Sequence, residues 1–417
     1  MRYLDRARAG RLMAEDGLDA LVLLSPEGFA YATGVPGGPA FMWRRAGAAT
    51  ALVPADPGLA DAAVVYDLLA PRFRAASTIA DVRQHPIWVE TDDLTGLDHG
   101  SNDPAAILAE NHRRAGRPPG FRRPTTFDAA ACFAHLRDQL AERGLLKGRI
   151  GLEFHLLSVS DLAALKAAVP EAQWVDGSRT LARIRMVKTA DEIAHLRMAV
   201  ELSEAGIEAL VREIRPGVAR SALAAAWRAG VEGAAAARGV RNLTGWWEYV
   251  SVGPDPWGGE ALARPGDLVK VDVGCLIAGY SSDSGRTFTV GRSSPLQRRL
   301  FGALAEAYAA GRAEIRPGRL LSDVFHAAQG GLVRAGFPEF TRGHFGHGLG
   351  ANVGSEEWPF IAADSPLPIE PGMVLAFETP WYVDGVGAMI IEDQMLVTAN
   401  GHEPMSVLPR ELREIGG

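Results

Sequence analysis

The sequence predicts two domains, an α/β domain over residues 1–178 and an α+β domain over residues 179–417. Short apolar runs alternate with segments of helical spacing as far as about Val175, which is typical of an α/β domain with a mixed sheet. Thr189, followed by Glu192 three residues later, is a capping-box pattern that marks the start of a long helix in the second domain. Beyond the helices of that domain the apolar runs become longer and are separated by glycine turns, which indicates a second sheet.

The N-terminal domain begins with helical spacing over residues 3–17. The next segment, 18–24, is short and apolar and predicts a buried strand. Residues 25–40, "SPEGFAYATGVPGGPA", are predicted to form a strand edge and turns, and the polar segment 91–124 is predicted to be a long surface loop. Two further strands are predicted over residues 48–53 and 62–66.

The second domain is predicted to open with helices that continue to about Gly239. Strands follow in the segments "DLVKVDVG", "GRTFTVG", "MVLAFETPWY" and "GAMIIEDQMLVT". Two more helices are predicted between these strands, over residues 295–312 and 321–335.

Composition excludes several classes of protein. The net charge of −7 argues against a nucleic-acid partner, because neutralising phosphates requires a basic surface. Cys132 and Cys275 are too few and too far apart for a disulfide framework or a zinc knuckle, which favours a reducing compartment. The N-terminus carries acidic residues before any apolar run, unlike a secretory signal, and no apolar stretch is long enough to span a membrane. We expect a cytoplasmic enzyme.

Four carboxylates in apolar surroundings indicate a metal site. Asp272 ends an apolar run, Asp283 follows a Gly-Tyr turn, and Glu378 and Glu392 each follow an apolar run directly. A buried carboxylate is costly unless it is paired or bound to metal. The alternative is a turn residue for each aspartate and a solvent-facing strand edge for one of the glutamates. With His347 in "GHG", the oxygen-rich ligand set suits a pair of divalent ions, Mn(II), Co(II), Fe(II) or Zn(II), activating a bridging water.

At these motifs the sequence resembles the pita-bread metallopeptidases of the M24 group, which include methionine aminopeptidase, Xaa-Pro aminopeptidase and prolidase. The segment "RLMAEDGLDALVLLSPEGFAYATG" is similar to their creatinase-type N-terminal domain, and "IRMVKTADEIAHLRMAVEL" is similar to the opening of their catalytic domain. The resemblance implies a curved antiparallel sheet flanked by helices.

The resemblance also assigns roles to the metal-binding residues. It implies that Asp272 binds one ion and that His347 and Glu378 bind the other, while Asp283 and Glu392 bridge the pair. Glu378 is also expected to accept the proton of the attacking water. The glycines around His347 are interpreted as letting its backbone pack close beside the metals.

The sequence departs from the peptidases at three groups that handle the substrate and its protons. The loop "SVGPDPWGGEALARPGD" has no histidine, and Trp257 follows its second proline. Gly354 stands near the place of a second histidine, and Ile390 stands where an arginine usually precedes the last ligand. His344 is a candidate to replace one of these groups in catalysis; the alternative is a loop histidine that bonds to the backbone.

Several aromatic residues lie close in sequence to the predicted metal ligands. Trp257, Trp358 and Trp381 are candidate substrate-binding residues, because each lies on a stretch leading to or from a ligand. Aromatic faces attract quaternary cations, and the neighbouring Glu356 and Glu357 are expected to reinforce that attraction. The alternative is that each tryptophan is a core or dimer-interface residue.

A basic pair in the N-terminal domain is a further candidate. In dimeric relatives this domain can reach the partner's active site, so Arg44, or the adjacent Arg45, is expected to clamp a substrate carboxylate there. The alternative is a solvated basic pair.

The leading functional hypothesis is a dinuclear metal-dependent hydrolase of the Xaa-Pro peptidase type, acting on a dipeptide or a similar small amide. The alternative is a non-peptidase enzyme on the same centre, resembling creatinase, ectoine hydrolase or dimethylsulfoniopropionate lyase, that cleaves a C–N or C–S bond of a small zwitterion. A third hypothesis is a catalytically silent binding protein. The expected partners are a small-molecule or dipeptide substrate and a second copy of the chain in a homodimer, with no nucleic acid and no membrane.

Overall fold

The structure is a computed structural model in which the chain separates into two compact units, Met1–Ile184 and Arg185–Gly417. The sequence-based boundary, between residues 178 and 179, falls at the start of the helix Ser178–Arg185, near whose end the two units divide. The described residues are 3–97, 100, 103–257, 259–351 and 356–416.

The first unit is built on a mixed sheet. Its strands are β1 (Ala20–Leu23), β2 (Thr50–Pro54), β3 (Ala62–Tyr66), β4 (Asp81–His85), β5 (Arg149–Leu152) and β6 (Gln173–Asp176). They lie in the order β4-β3-β2-β1-β5-β6; β2 is antiparallel to β1 and β3, and the other pairs are parallel. The helices are α1 (Arg6–Glu15), α2 (Pro26–Thr33), α3 (Ala70–Ala76), α4 (Pro104–Arg114), α5 (Ala129–Glu142), α6 (Val159–Ala168) and α7 (Ser178–Arg185), with 3₁₀ turns at Pro39–Trp43 and Phe154–Leu156.

Helices cover both faces of this sheet. Leu21 and Leu23 of β1 pack in one apolar cluster with α1, α2 and α3, while Ala20 and Val22 pack in another with α5 and α6. Successive strand residues point to opposite faces, so a strand buried on both sides must be apolar throughout. This explains the continuous apolar run that predicted β1.

Two sequence-based predictions for this unit were wrong. Residues 25–40 contain helix α2, because Ser25 accepts a hydrogen bond from the amide of Gly28 at 2.9 Å, Pro26 occupies the first turn, and Gly34 ends the helix at φ 74°. The supposed loop 91–124 contains helix α4, which is capped in the same manner by Asp103 ahead of Pro104. Serine, aspartate and proline, which begin both helices, are equally typical of turns, so the sequence pattern alone does not distinguish the two structures.

The second unit opens with helices and continues as a largely antiparallel sheet. Its helices are α8 (Ala190–Glu213), α9 (Arg220–Ala237), α10 (Pro295–Glu314) and α11 (Leu321–Arg334). The capping box of Thr189 and Glu192 at α8 is confirmed. The strands are β7 (Leu243–Glu248), β8 (Ser251–Val252), β9 (Leu268–Ile277), β10 (Tyr280–Ser281), β11 (Ser284–Val290), β12 (His344–Gly348), β13 (Glu357–Ala362), β14 (Val374–Glu378), β15 (Trp381–Val383), β16 (Gly387–Met389), β17 (Glu392–Thr398), β18 (Gly401–Pro404) and β19 (Arg413–Ile415).

The main sheet of this unit has the order β10-β9-β11-β17-β14-β12-β13. Helices α8 and α9 pack with β9 around one apolar cluster, and α10 and α11 pack with β12 and β14 around another. Strands β9, β11, β17, β14 and β12, which carry or adjoin the predicted ligands, are therefore consecutive in the sheet and backed by helices. Within the described part of the chain, none of the helices combines the length and apolar character needed to cross a bilayer.

Candidate metal centre

Strand register brings three of the predicted ligands into one row. Glu378 pairs with Glu392 between β14 and β17, Glu392 pairs with Gly285 between β17 and β11, and Gly285 pairs with Asp272 between β11 and β9. Residues directly opposite each other in adjacent strands point to the same face of the sheet. The carboxylates of Asp272, Glu378 and Glu392 therefore share one face.

The alternation of side-chain direction along a strand places the other two predicted ligands, Asp283 and His347, on the same face. Asp283 precedes Gly285 by two residues, and His347 pairs with Ala376, which precedes Glu378 by two. Side chains two residues apart on a strand point to the same side. All five predicted metal ligands thus converge, although they come from segments scattered over 121 residues of sequence, from position 272 to position 392.

Asp283, His347 and Glu392 form the buried centre of the site. Their ligand atoms all lie within 4.8 Å of one another, and Nε2 of His347 is 3.5 Å from Oδ2 of Asp283. Nδ1 of His347 lies 3.0 Å from the carbonyl oxygen of Gly348, which can only accept, so the proton belongs on Nδ1 and Nε2 keeps its lone pair for a metal.

These groups fit a divalent cation. The buried oxygen Oδ1 of Asp283 makes no hydrogen bond within the part of the chain that the structure describes. Burial, followed by the charges of neighbouring carboxylates, raises the pKa of both Asp283 and Glu392 well above the usual range. A bound cation would satisfy the oxygen and offset the repulsion.

A lysine that the sequence analysis overlooked lies in the same site. Lys270 precedes Asp272 by two residues on β9, and its Nζ lies 2.8 Å from Oδ2 of Asp272 and 3.3 Å from the hydroxyl of Tyr382. Its side chain is only 3% exposed. Burial lowers the pKa of Lys270, but Asp272 and Tyr382 raise it further, so the net shift is upward and the group is an ammonium.

An arginine was overlooked as well. Arg342 precedes β12 and donates hydrogen bonds from Nη2 to Oε1 of Glu378 and from Nε to the carbonyl oxygen of His344. Ile390, at the position where an arginine was expected, is fully buried, and Gly285 leaves room for its side chain. The guanidinium in this site therefore comes from the segment before β12, not from position 390.

His344 lies at the edge of the same group. Its Nδ1 is 4.0 Å from Oε1 of Glu378, and its Nε2 is 3.8 Å from Oε2 of Glu356. Burial lowers the pKa of His344, although the charge of Glu378 acts to raise it. A neutral imidazole beside two carboxylates can relay a proton.

The site opens into a cavity of about 290 Å³. Beside the metal-binding groups, it is lined by Tyr249, Pro256, Trp257, Arg342, Glu356 and Tyr382, among others. Trp257 is 76% exposed and stacks on Tyr382, with ring centroids 4.6 Å apart and planes 2° apart. One face of the cavity is therefore aromatic.

The other two predicted tryptophans lie elsewhere. Trp358 and Trp381 are partly buried and pack against the apolar cluster of α10 and α11. Trp381 makes edge contacts with Phe337 and Phe340, at centroid distances of 5.0 and 4.8 Å. Neither residue lines the metal-site cavity, whereas Trp381 lines a separate cavity with Phe337 and Phe340.

The expectation that Glu357 reinforces attraction of a cation is wrong. Its carboxylate is buried and pairs with Nε of Arg185 at 2.6 Å and with Nζ of Lys188 at 3.3 Å. This pairing neutralises it away from the cavity. Glu356, in contrast, lines the cavity as expected.

The glycines around His347 serve strand packing. Gly346 has φ 136°, and a Cβ there would lie 2.0 Å from the carbonyl oxygen of Ala376 on β14. A Cβ at Gly348 would lie 3.0 Å from the carbonyl oxygens of Glu357 and Trp358. The small residues let β12 lie tightly between its two neighbours, which corrects the interpretation that they approach the metal.

The remaining predicted residues lie outside this unit or outside the described residues. In the first unit, Arg44 donates to both carboxylate oxygens of Glu27 at 3.0 and 2.9 Å, and Arg45 pairs with Asp161 at 2.6 Å. Both guanidiniums are thus engaged within their own unit. Gly354 lies outside the described residues.

Comparison with known proteins gives a family match for each of the two parts of the chain. Residues 194–399 match the description "Metallopeptidase family M24", and residues 6–187 match "Creatinase/Prolidase N-terminal domain". An Xaa-Pro dipeptidase of Lactobacillus delbrueckii subsp. lactis is 28% identical over 263 residues, covering 62% of this chain and 70% of that protein. An Xaa-Pro dipeptidase of Pyrococcus horikoshii is 27% identical over 247 residues, covering 59% of this chain and 69% of that protein.

The structure of an Xaa-Pro dipeptidase from Bacillus anthracis superposes with a TM-score of 0.76 at 21% identity, covering 98% of this chain and 99% of that one. At that identity the similarity concerns the fold. The predicted fold class, a creatinase-type α/β domain followed by an α+β pita-bread domain, is confirmed.

Proposed function

Because this chain belongs to metallopeptidase family M24, we propose that it is a metal-dependent hydrolase of the Xaa-Pro peptidase type, acting on a dipeptide or a similar small amide. One observation carries the proposal. Asp272, Asp283, His347, Glu378 and Glu392 converge on one face of one sheet, beside a cavity of a size suited to a small substrate.

The ligand set is proposed to hold Mn(II), Co(II), Fe(II) or Zn(II), and the sequence predicts a pair of ions. When bound, a divalent ion supplies Lewis-acid polarisation of the scissile carbonyl and a water of lowered pKa. Asp283, Glu392 and Nε2 of His347 are the groups that would hold it, since they are buried and mutually close.

The proton chemistry is assigned to Glu378 and His344. Arg342 donates to Oε1 of Glu378 and so fixes the orientation of the carboxylate that accepts the proton of the attacking water. His344, with Nδ1 at 4.0 Å from the same oxygen, is placed to pass a proton to the leaving amine.

Tyr382 is assigned to the substrate. Its hydroxyl oxygen accepts from Nζ of Lys270, which leaves the hydroxyl proton available for an oxygen of the substrate. Trp257 stacks on the Tyr382 ring and provides an apolar wall. Trp358, Trp381 and Arg44 remain proposals from the sequence, with Trp358 and Trp381 in packing positions and Arg44 paired with Glu27.

The test is hydrolysis of a dipeptide panel that includes Ala-Pro, Gly-Pro and dipeptides without proline, in the presence of Mn(II) or Co(II). We expect turnover of at least one dipeptide that stops on chelation and returns when the ion is restored. Glu392→Gln serves as the metal-site variant and Glu201→Gln, at an exposed position, as the matched control. Absence of turnover with every peptide, in protein that retains metal, would contradict the proposal.

A second candidate is supported by the aromatic wall. Trp257, Tyr249 and Tyr382 line the cavity together with the carboxylate of Glu356, which is the composition that binds quaternary cations. The substrate would then be a small zwitterion cleaved at a C–N or C–S bond. Adding N-methylated amino acids, betaines and dimethylsulfoniopropionate to the panel distinguishes the two, because fast turnover of one of these with poor turnover of dipeptides favours the second candidate.

We also propose that the protein is a cytoplasmic homodimer. The support is the reducing compartment indicated by two buried, unpaired cysteines and the similarity to the creatinase-type N-terminal domain. Light scattering coupled to gel filtration at micromolar concentration tests the dimer, and a single species of about 44.5 kDa would contradict it.

A further inference from the structure

Two of the four carboxylates in the metal centre already have cationic partners from the protein. Nζ of Lys270 lies 2.8 Å from Oδ2 of Asp272, and Nη2 of Arg342 donates to Oε1 of Glu378. The two contacts lie in one cross-strand row, since Asp272 and Glu378 are related through Gly285 and Glu392. Asp283 and Glu392, with His347, form the group whose ligand atoms are all mutually close.

The charges of the site match one divalent ion. With a metal bound, the four carboxylates would be ionised and would carry four negative charges, and Lys270 and Arg342 contact two of them. One divalent ion would neutralise the other two, whereas a pair of ions would leave a buried excess of positive charge. An uncompensated charge is strongly unfavourable in a buried site.

Lys270 also competes with a second ion for Asp272. Its ammonium contacts Oδ2 of Asp272 at 2.8 Å, and a metal on the same oxygen would have to approach to roughly 2.0–2.2 Å and displace it. The lysine is 3% exposed, and the ring of Tyr382, stacked under Trp257, lies 5.2 Å from its Nζ. Its location on β9, two residues before Asp272, directs its side chain to the ligand face.

We infer that this centre holds one divalent ion, bound by Asp283, His347 and Glu392, and that the Lys270 ammonium takes the place of a second ion at Asp272. The inference rests on the metal centre of the proposed function and revises the pair of ions that the sequence predicts. Two carboxylates and one imidazole leave coordination positions open for water and substrate, as in mononuclear sites with three protein ligands.

The test counts ions without any substrate. Metal-free protein is titrated with Mn(II) or Co(II) by calorimetry, and the ions retained after gel filtration are counted by elemental analysis. We expect one ion per chain in the wild type and two in Lys270→Met, which removes the charge and keeps most of the side-chain length. Lys147→Met, at an exposed position of the first unit, is the matched control and should retain one.

Each outcome decides a different point. Two tightly held ions in the wild type would overturn the inference and leave the proposed hydrolase intact, whereas no ion at all would overturn both. A single ion in folded Lys270→Met would show that the lysine is not what excludes the second. If Lys270→Met does not fold, as judged by circular dichroism, the wild-type count still decides whether the centre holds one ion or two.

Discussion

Replacing Asp393 with asparagine should destabilise the second unit strongly. Asp393 follows the predicted metal ligand Glu392 and is fully buried. Its Oδ1 accepts from Nη2 of Arg286 at 2.7 Å, and its Oδ2 accepts from the hydroxyl of Tyr308 and from Nε of Arg410. Asparagine has almost the same shape but presents an NH₂ group to one of these sets of donors.

The magnitude follows from the burial of the arginine. Arg286 is 3% exposed, and removing one partner of a buried ion pair costs about 3–5 kcal/mol of unfolding free energy. Oε1 of Glu204 lies 3.8 Å from the same Arg286 nitrogen and would still partly neutralise the arginine. We therefore expect a loss of unfolding free energy at the lower end of that range, about 3 kcal/mol. For a unit the size of Arg185–Gly417, each kcal/mol lowers Tm by about 2–4 °C, so we expect a fall of about 6–12 °C.

The assay is thermal unfolding followed by circular dichroism, at fixed metal concentration. Glu201→Gln is the control, because it removes the partner of Arg238 from an exposed ion pair in the same unit and should change stability by only about 0.2–1 kcal/mol. A Tm for Asp393→Asn within about 2 °C of the wild type would refute the reasoning, because about 3 kcal/mol should lower it further. It would mean that the buried network relaxes around the amide.

Three further outcomes are expected. Glu378→Gln should lower kcat by about 10²–10⁴-fold with modest metal loss, whereas Asp283→Ala should remove the metal. Elemental analysis with steady-state kinetics separates the two effects, and near-full activity of Glu378→Gln would contradict the role assigned to Glu378. Trp257→Ala should weaken binding of a quaternary ammonium or sulfonium compound by about 0.5–2 kcal/mol more than binding of a neutral isostere, and equal losses in calorimetry would contradict the aromatic wall as a cation site. Cys132 and Cys275 are buried, and burial raises the pKa of Cys275 to about 12, so neither should react with a thiol reagent at pH 8 until denaturant is added; rapid labelling of native protein would contradict this.

The sequence predicted the carboxylates and the histidine that converge in the site, but not the two cationic side chains that pair with them. Asp272, Asp283, Glu378 and Glu392 could be recognised because carboxylates in apolar runs are unusual, and His347 because of its glycines. Lys270 lies in the same quoted strand as Asp272, and the two-residue repeat of a strand would have placed both on one face. It was missed because lysine is ordinarily an exposed residue.

Arg342 could not have been predicted in the same way. It contacts Glu378 across 36 residues, and that proximity depends on the pairing of β12 with β14. Trp358 and Trp381 were predicted to bind substrate from their closeness in sequence to a predicted ligand, yet both pack against the core. Closeness in sequence does not determine whether an aromatic ring faces a cavity or the core. Side-chain direction at the end of a strand depends on tertiary packing that no short motif specifies.

The cross-strand row of ligands has a consequence for biosynthesis. Asp272 and Glu392 meet only through the pairing of β9, β11 and β17, and 120 residues separate them in the chain. The site therefore has a high contact order, and no metal can be captured with native geometry until residue 392 has left the ribosome. A slip of β17 by one residue would turn Glu392 to the opposite face, so metal binding at the proposed site would require that this strand has paired in its correct register.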